Sequence, residues 1–226
     1  MNFQLIEALS SYMSGTKFED TLIDKAETLG VADSLCSYHK TFIGAALSGV
    51  IEKPKFAITT TMACDGNVNT FRCLSDFYGI ERFVIDIPYE YSEDAKEYVK
   101  EQLKEMVEFI EDNLHKKLNE NKLKEIIINE NKSIDYYNSY LKKLENRYFT
   151  NTLTSEMYKI FATHPGMGRA DTLKFFKLLD EDISKCPEGI TGKRFLWVHL
   201  LPFYSKSIKA LLDKNEINQL LISDMN

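Results

Sequence analysis

The run Lys55-Phe-Ala-Ile-Thr-Thr-Thr61 constrains the fold of this chain more than any other stretch. It is β-branched and apolar, follows Pro54 and ends in Met62-Ala-Cys-Asp-Gly66, which is how a buried strand that stops at a turn reads in sequence. Arg82-Phe-Val-Ile-Asp-Ile-Pro88 repeats the pattern, and the segment from Val68 to Tyr78 between the two runs is long enough for a helix. Strand, helix and strand at this spacing predict a right-handed βαβ unit with parallel strands. Cys64 then stands just past the carboxyl end of a parallel strand and ahead of a helix, where ligands gather in α/β sheets. Gly66 would let the backbone turn tightly or approach a ligand closely. The helix N-terminus would stabilise negative charge on a thiolate or an anionic cofactor.

Beyond this unit the periodicity turns helical. From Ser92 to Leu114 the residues Ala95, Tyr98, Val99, Leu103, Met106, Val107 and Ile110 recur at three- and four-residue steps, one face of an amphipathic helix with Ser92 as its N-cap. A second helix is expected from Asn119 to Tyr148 with Leu123, Ile126, Ile127, Ile134, Leu141 and Leu144 inward. Shorter helices fit Thr154–Thr163, stopped by His164-Pro165, and Arg169–Ser184. The Pro/Gly-bearing stretch Cys186–Gly192 is the candidate linker. Phe195-Leu-Trp-Val-His-Leu-Leu201 and Leu220–Asp224 read as further strands, with a helical stretch from Ser205 to Asp213 between them.

Composition narrows the function classes. With 226 residues the chain is longer than one typical domain of roughly 150 and shorter than two. Its 44% apolar and 27% charged residues belong to an ordinary globular chain and exclude disorder. The 28 basic residues against 34 acidic ones leave a net charge of -6, so there is no broad electrostatic footprint for nucleic acid. No apolar run approaches the ~18–20 residues that cross a bilayer, and the acidic opening lacks the apolar core of a signal peptide. A cytoplasmic protein is expected, with no membrane partner. In a reducing compartment Cys36, Cys64, Cys73 and Cys186 are free thiols or metal ligands rather than a disulfide framework. The mixed Lys and Glu of the long helices read as solvated faces.

Cys36 lies in Asp33-Ser-Leu-Cys-Ser-Tyr-His39, just ahead of an apolar helix through Phe42, Ile43, Ala46 and Leu47. Its setting is also a loop entering a helix, so Cys36 and Cys64 can meet at one sheet edge. Two cysteines on separate loops suit a metal cluster better than a redox CxxC pair, and core packing is the alternative for either one, because free Cys is often buried. A zinc set of Cys36, His39, Cys64 and Cys73 has zinc-like spacing only in its first pair, and Cys73 falls mid-helix, where it is expected to be packed. Nothing around Cys186 suggests a ligand. Gly166-Met-Gly-Arg-Ala-Asp171 has no strand ahead of it and reads as a helix connection rather than a dinucleotide fingerprint. No P-loop motif is present, which argues against ATP binding by this route. Of the four histidines, His115 and His164 read as helix ends and His199 as a core residue, which leaves His39 as the one beside a candidate site.

Leu35-Cys-Ser-Tyr-His-Lys40, then Ala63-Cys-Asp-Gly-Asn67, then Val84-Ile-Asp-Ile-Pro-Tyr89 form an ordered set. It resembles the 2-hydroxyacyl-CoA dehydratase D-component family, which includes benzoyl-CoA reductase subunits. Lys193-Arg-Phe-Leu-Trp197 looks like the opening strand of that family's second domain. The resemblance implies an α/β protein with a parallel-sheet, flavodoxin/Rossmann-like N-terminal domain over residues 1–91 that binds the cluster. A helical segment over 92–186 would pack on it, and 187–226 would begin a truncated second α/β domain.

The resemblance further implies a lyase of anaerobic fermentation that holds a [4Fe-4S] cluster, with Cys36 and Cys64 as cluster-binding metal ligands and a third cysteine in the second domain. Thiolates are soft, anionic donors suited to iron. The implied partners are a related second dehydratase subunit, an ATP-dependent iron–sulfur activator that injects one electron, and an acyl-CoA substrate. Reduction of the thioester carbonyl of an (R)-2-hydroxyacyl-CoA to a ketyl radical would expel the 2-hydroxyl. Asp65 and Gly66 would belong to the cluster's surroundings, and Ser37 and His39 are candidate substrate or proton-handling groups. Because family members usually run past this length, the missing part is expected as a separate chain or as lost. A non-catalytic remnant or a benzoyl-CoA-reductase-like subunit are the alternatives.

Overall fold

A computed structural model of the protein describes residues 17–62, 64–147, 149, 159, 162–163, 166–189, 195–198, 210 and 220–223. Contacts divide the chain into two units, one ending at Leu118 and the other beginning at Asn119. The expected helices Thr154–Thr163 and Ser205–Asp213 lie largely outside the described residues, and His164 and His199 lie wholly outside them.

The first unit is a mixed α/β arrangement built from α1 (Lys17–Thr28), α2 (Ser37–Leu47), β1 (Phe56–Thr60), α3 (Asp65–Tyr78), β2 (Glu81–Ile85) and α4 (Glu93–Leu114). β1 and β2 pair in parallel with Phe56 opposite Glu81 and Thr60 opposite Ile85, which is the expected βαβ pairing with α3 as the crossover. The described residues carry this sheet no further than two strands. Side chains alternate across a strand, so Ala57 and Thr59 are buried on one face. On the other, Phe56 and Phe83 meet Phe109 of α4 with ring centroids 5.4 and 5.6 Å away.

The main core lies between α1 and α2. Leu22 and Ala26 of α1 are buried with Phe42, Ile43, Ala45 and Ala46 of α2, joined by Ile51 and by Leu74 of α3. Gly44 permits this approach, because a Cβ there would run into the carbonyl of Leu22. Tyr78, at the end of α3, donates its hydroxyl proton to the carbonyl of Ile51 at 2.8 Å and so fixes α3 against the segment that follows α2.

α4 starts as expected, with Ser92 Oγ accepting from the Ala95 N–H at 3.0 Å and Glu93 and Asp94 in the first turn. Its apolar face is narrower than the expected one: Ala95, Val99, Met106, Val107 and Ile110 are half-buried, whereas Tyr98 and Leu103 are exposed. The buried position is Gln102, whose amide accepts from the Asp86 N–H and donates to the Asp86 carbonyl, both at 2.8 Å. This two-sided pairing satisfies the backbone just past β2 where no strand neighbour does.

The second unit contains α5 (Glu120–Leu144), α6 (Ala170–Lys185) and the parallel pair β3 (Phe195–Val198) and β4 (Leu220–Ser223), in register from Phe195 opposite Leu220. Asn119 caps α5, its Oδ1 accepting from the Lys122 N–H at 3.0 Å. Tyr140, Leu144, Phe176 and Ile183 are fully buried where α5 and α6 pack. Lys143 reaches Asp180 at 2.6 Å, and Arg147 ties the Cys186 carbonyl (2.7 Å) and Glu188 (2.9 Å) back to the end of α5. Lys159 is buried as well, donating to the Tyr140 hydroxyl at 3.0 Å.

Two expectations about packing are corrected. Leu123, Ile126, Ile127 and Ile134 of α5 are exposed, and of the residues expected inward only Leu144 is fully buried. For Leu123, Ile126 and Ile127 the reason is length: α5 has 25 residues and α6 has 16, about 37 and 24 Å at the usual rise. α6 runs alongside α5 only from about Asn129, which meets Gly168, to Lys143, which meets Asp180. Ile134 lies within that stretch but off the line of Tyr137, Tyr140 and Leu144 that faces α6. Cys73 is exposed rather than packed. It precedes the buried Leu74 by one residue, and one residue turns a helix by about 100° away from the core-facing line.

Candidate functional site

Cys36 and Cys64 occupy equivalent places in two helices. Each is the N-cap, of α2 and α3 respectively, and each thiol is exposed. Neither side chain accepts a hydrogen bond from its own first turn, whereas Ser92 and Asn119 do so at the starts of α4 and α5. The first-turn N–H groups of α2 and α3 therefore lack a side-chain cap, and they carry the partial positive charge of a helix N-terminus.

His39, in the first turn of α2, brings these two helix starts into contact. Its ring is buried at 4% exposure, with Nδ1 3.1 Å from Thr70 Oγ1 and Nε2 3.8 Å from Cys64 Sγ. Burial holds its pKa below the ordinary histidine value. Gly66 leaves room for this ring: a Cβ there would sit 2.9 Å from Nε2 and 3.2 Å from Cys64 Sγ. The glycine thus leaves side-chain space at the start of a helix, and the tight turn that was one of the two uses expected of it is not made there, since its φ is not positive.

Cys36 is held by a separate device. Lys40 is buried, and its ammonium meets Glu27 at 2.6 Å and the carbonyl of Asp33 at 2.8 Å. The Asp33 contact fastens the loop that delivers Cys36, and the Lys40 N–H donates to the Cys36 carbonyl at 3.2 Å. A buried lysine is costly unless paired and hydrogen-bonded, so this pair locates the loop firmly.

Ser37 and Asp65 are exposed at the first positions of α2 and α3, Cys73 is exposed further along α3, and Cys186 is the C-cap of α6 in the second unit. Among the described residues no three His, Cys, Asp or Glu side chains converge as a metal site would require, so the four-ligand zinc set is not formed there. Sequence reasoning placed both cysteines at loop-to-helix junctions and singled out His39. It missed Thr70 and the Lys40–Glu27 pair, which carry no local signal because their partners are remote in sequence. The Gly166–Asp171 stretch is a helix connection, with the Gly168 N–H donating to Glu130 at 2.6 Å and α6 starting at Ala170.

No helix among the described residues is long and apolar enough to cross a membrane. No curated protein matches the chain. Residues 4–225 match a family model described as 2-hydroxyglutaryl-CoA dehydratase, D-component.

Proposed function

The chain belongs to the 2-hydroxyglutaryl-CoA dehydratase D-component family, and from that membership we propose that it is a subunit of an iron–sulfur lyase that removes water from an (R)-2-hydroxyacyl-CoA. The observation that carries the reading is the family match over nearly the whole chain, from residue 4 to residue 225. The arrangement of Cys36 and Cys64 supports it. A cluster held by thiolates is anionic, and two exposed thiols at two uncapped helix N-termini present soft donors together with partial positive charge. Cys36 and Cys64 would hold a [4Fe-4S] cluster, and among the described residues no third ligand converges with them.

Bound there, the cluster would supply a low-potential electron to the substrate thioester. The need for one follows from the substrate. The hydroxyl leaves from the carbon beside the carbonyl, and the proton departs from the next carbon, which the thioester does not acidify. Adding one electron to the carbonyl gives a ketyl that expels the hydroxide and acidifies that proton. Returning the electron then releases the enoyl-CoA, so the net change is loss of water alone. In this scheme the chain's own groups position the two thiols. The Lys40–Glu27 pair fixes the Cys36 loop, and the start of α3 fixes Cys64.

A component of a dehydratase works with another subunit, and a separate ATP-dependent iron–sulfur activator would deliver the electron. The test is an anaerobic assay of the chain with its related subunit, activator, ATP and a strong reductant, offered 2-hydroxyacyl-CoA thioesters and benzoyl-CoA. Formation of enoyl-CoA from a 2-hydroxyacyl-CoA is expected. Turnover of benzoyl-CoA alone would move the assignment to ring reduction.

A further inference from the structure

We propose that His39 is a positioning residue that holds the Cys64 sulfur through an Nε2–H···Sγ hydrogen bond, with Thr70 fixing the imidazole tautomer that makes the donation. Thr70 Oγ1 belongs to a residue only 1% exposed, and its one hydrogen bond among the described residues is to His39 Nδ1 at 3.1 Å. A buried hydroxyl must place its proton on an acceptor, and the only acceptor it meets among the described residues is the Nδ1 lone pair. Nδ1 is therefore unprotonated and the ring proton of the neutral imidazole sits on Nε2. The opposite tautomer would turn Nδ1–H toward Thr70 and leave the hydroxyl proton buried without an acceptor.

Nε2 in turn lies 3.8 Å from Cys64 Sγ, within reach of a hydrogen bond to sulfur. The missing Cβ of Gly66 keeps the space beside both atoms open, since a methyl group there would crowd the ring nitrogen and the sulfur together. The result is a directed relay of hydrogen bonds: Thr70 O–H to Nδ1, then Nε2–H to Sγ. It joins α3 to α2 and back to the N-cap of α3. In this role His39 acts through the Cys64 sulfur. Partners of this kind orient a ligand, and hydrogen bonds to ligating sulfurs tune the potential of an iron–sulfur cluster. This consequence for a bound cluster rests on Cys64 being a ligand, but the hydrogen bond does not.

The test begins on the metal-free chain labelled with 15N-histidine, where NMR reads the tautomer of each ring and His39→Gln identifies the His39 signals. The Nε2-protonated tautomer is expected for His39, with a mixture of tautomers in Thr70→Val and an upfield shift of the Nε2–H proton in Cys64→Ala. An Nδ1-protonated ring in the wild type, or an Nε2–H signal indifferent to Cys64→Ala, would overturn the proposal. After loading with iron and sulfide, His39→Leu is expected to have a lower midpoint potential than the wild type. His39→Gln, which keeps an N–H donor, should stay nearer to it. Equal potentials in all three would show that the contact is lost in the loaded protein and overturn its tuning role. A wild type that shows the expected tautomer but takes up no iron would refute the ligand reading and leave the His39–Cys64 contact standing.

Discussion

The helix starts at Cys36 and Cys64 and the α5–α6 pair solve opposite problems. At the first, small residues bring polar groups together: Gly66 admits the His39 ring beside Cys64, Thr70 and His39 satisfy each other inside the protein, and Lys40 is buried on Glu27. At the second, large side chains stack. Tyr137 and Phe176 lie 5.2 Å apart, Tyr140 and Phe149 5.7 Å apart, and the first half of α5 leaves Ile126, Ile127 and Ile128 exposed. The same contrast appears in the caps, where Ser92 and Asn119 close helices that only pack and cysteines stand where such caps would be at the two helices that meet at the site. At the site, then, a cap hydrogen bond is forgone at each of two helix starts and the thiols are left exposed.

The largest expected effect breaks the stacked side of that contrast. Phe176→Ala removes a fully buried ring and should cost about 3–5 kcal/mol in denaturant unfolding. Gly44→Ala breaks the close-packed side, where the added Cβ meets the backbone of Leu22. Overpacking of this kind costs about 1–3 kcal/mol, and the same unfolding measurement reads it. The caps should respond in opposite directions. Asn119→Ala should lose about 1 kcal/mol, whereas Cys36→Ser, which installs an oxygen acceptor at an uncapped helix start, should stabilise the metal-free chain by about 0.5–1 kcal/mol. A Cys36→Ser variant that is more stable yet binds no iron would sharpen the comparison most.

The smallest effect concerns pH. The Arg169 guanidinium holds the Asp171 carboxyl down from 3.8 to about 2, through hydrogen bonds at 2.8 and 2.9 Å. A carboxylate with a depressed folded-state pKa binds fewer protons folded than unfolded, so its contribution is fully present above 3.8 and is lost as pH falls through about 2. Asp171→Asn should flatten the acid limb of a stability-against-pH curve slightly in that window.

The contrast also explains what was legible in the sequence. β1, β2 and α4 could be read because periodicity, Ser92 and the Pro/Gly boundaries are local signals. The placing of Cys36 and Cys64 at helix starts was legible for the same reason. The His39–Thr70 bond spans 31 residues and the Lys40–Glu27 pair spans 13 across a loop, so neither leaves a pattern in any window. The inward face of α5 was misread because the periodicity of one helix says nothing about the length of the helix it packs against or about which line of side chains that helix covers. Gly66 was recognised, but its purpose depends on a ring supplied from another helix.

The central claim is that Cys36 and Cys64, and not the other thiols, hold iron. Anaerobic reconstitution with iron and sulfide, followed by iron and sulfide analysis of the wild type, Cys36→Ser, Cys64→Ser and Cys73→Ser, tests it most directly. The account predicts equal content in the wild type and Cys73→Ser and a loss of most of it in each of the other two. Equal content in all four proteins would contradict it.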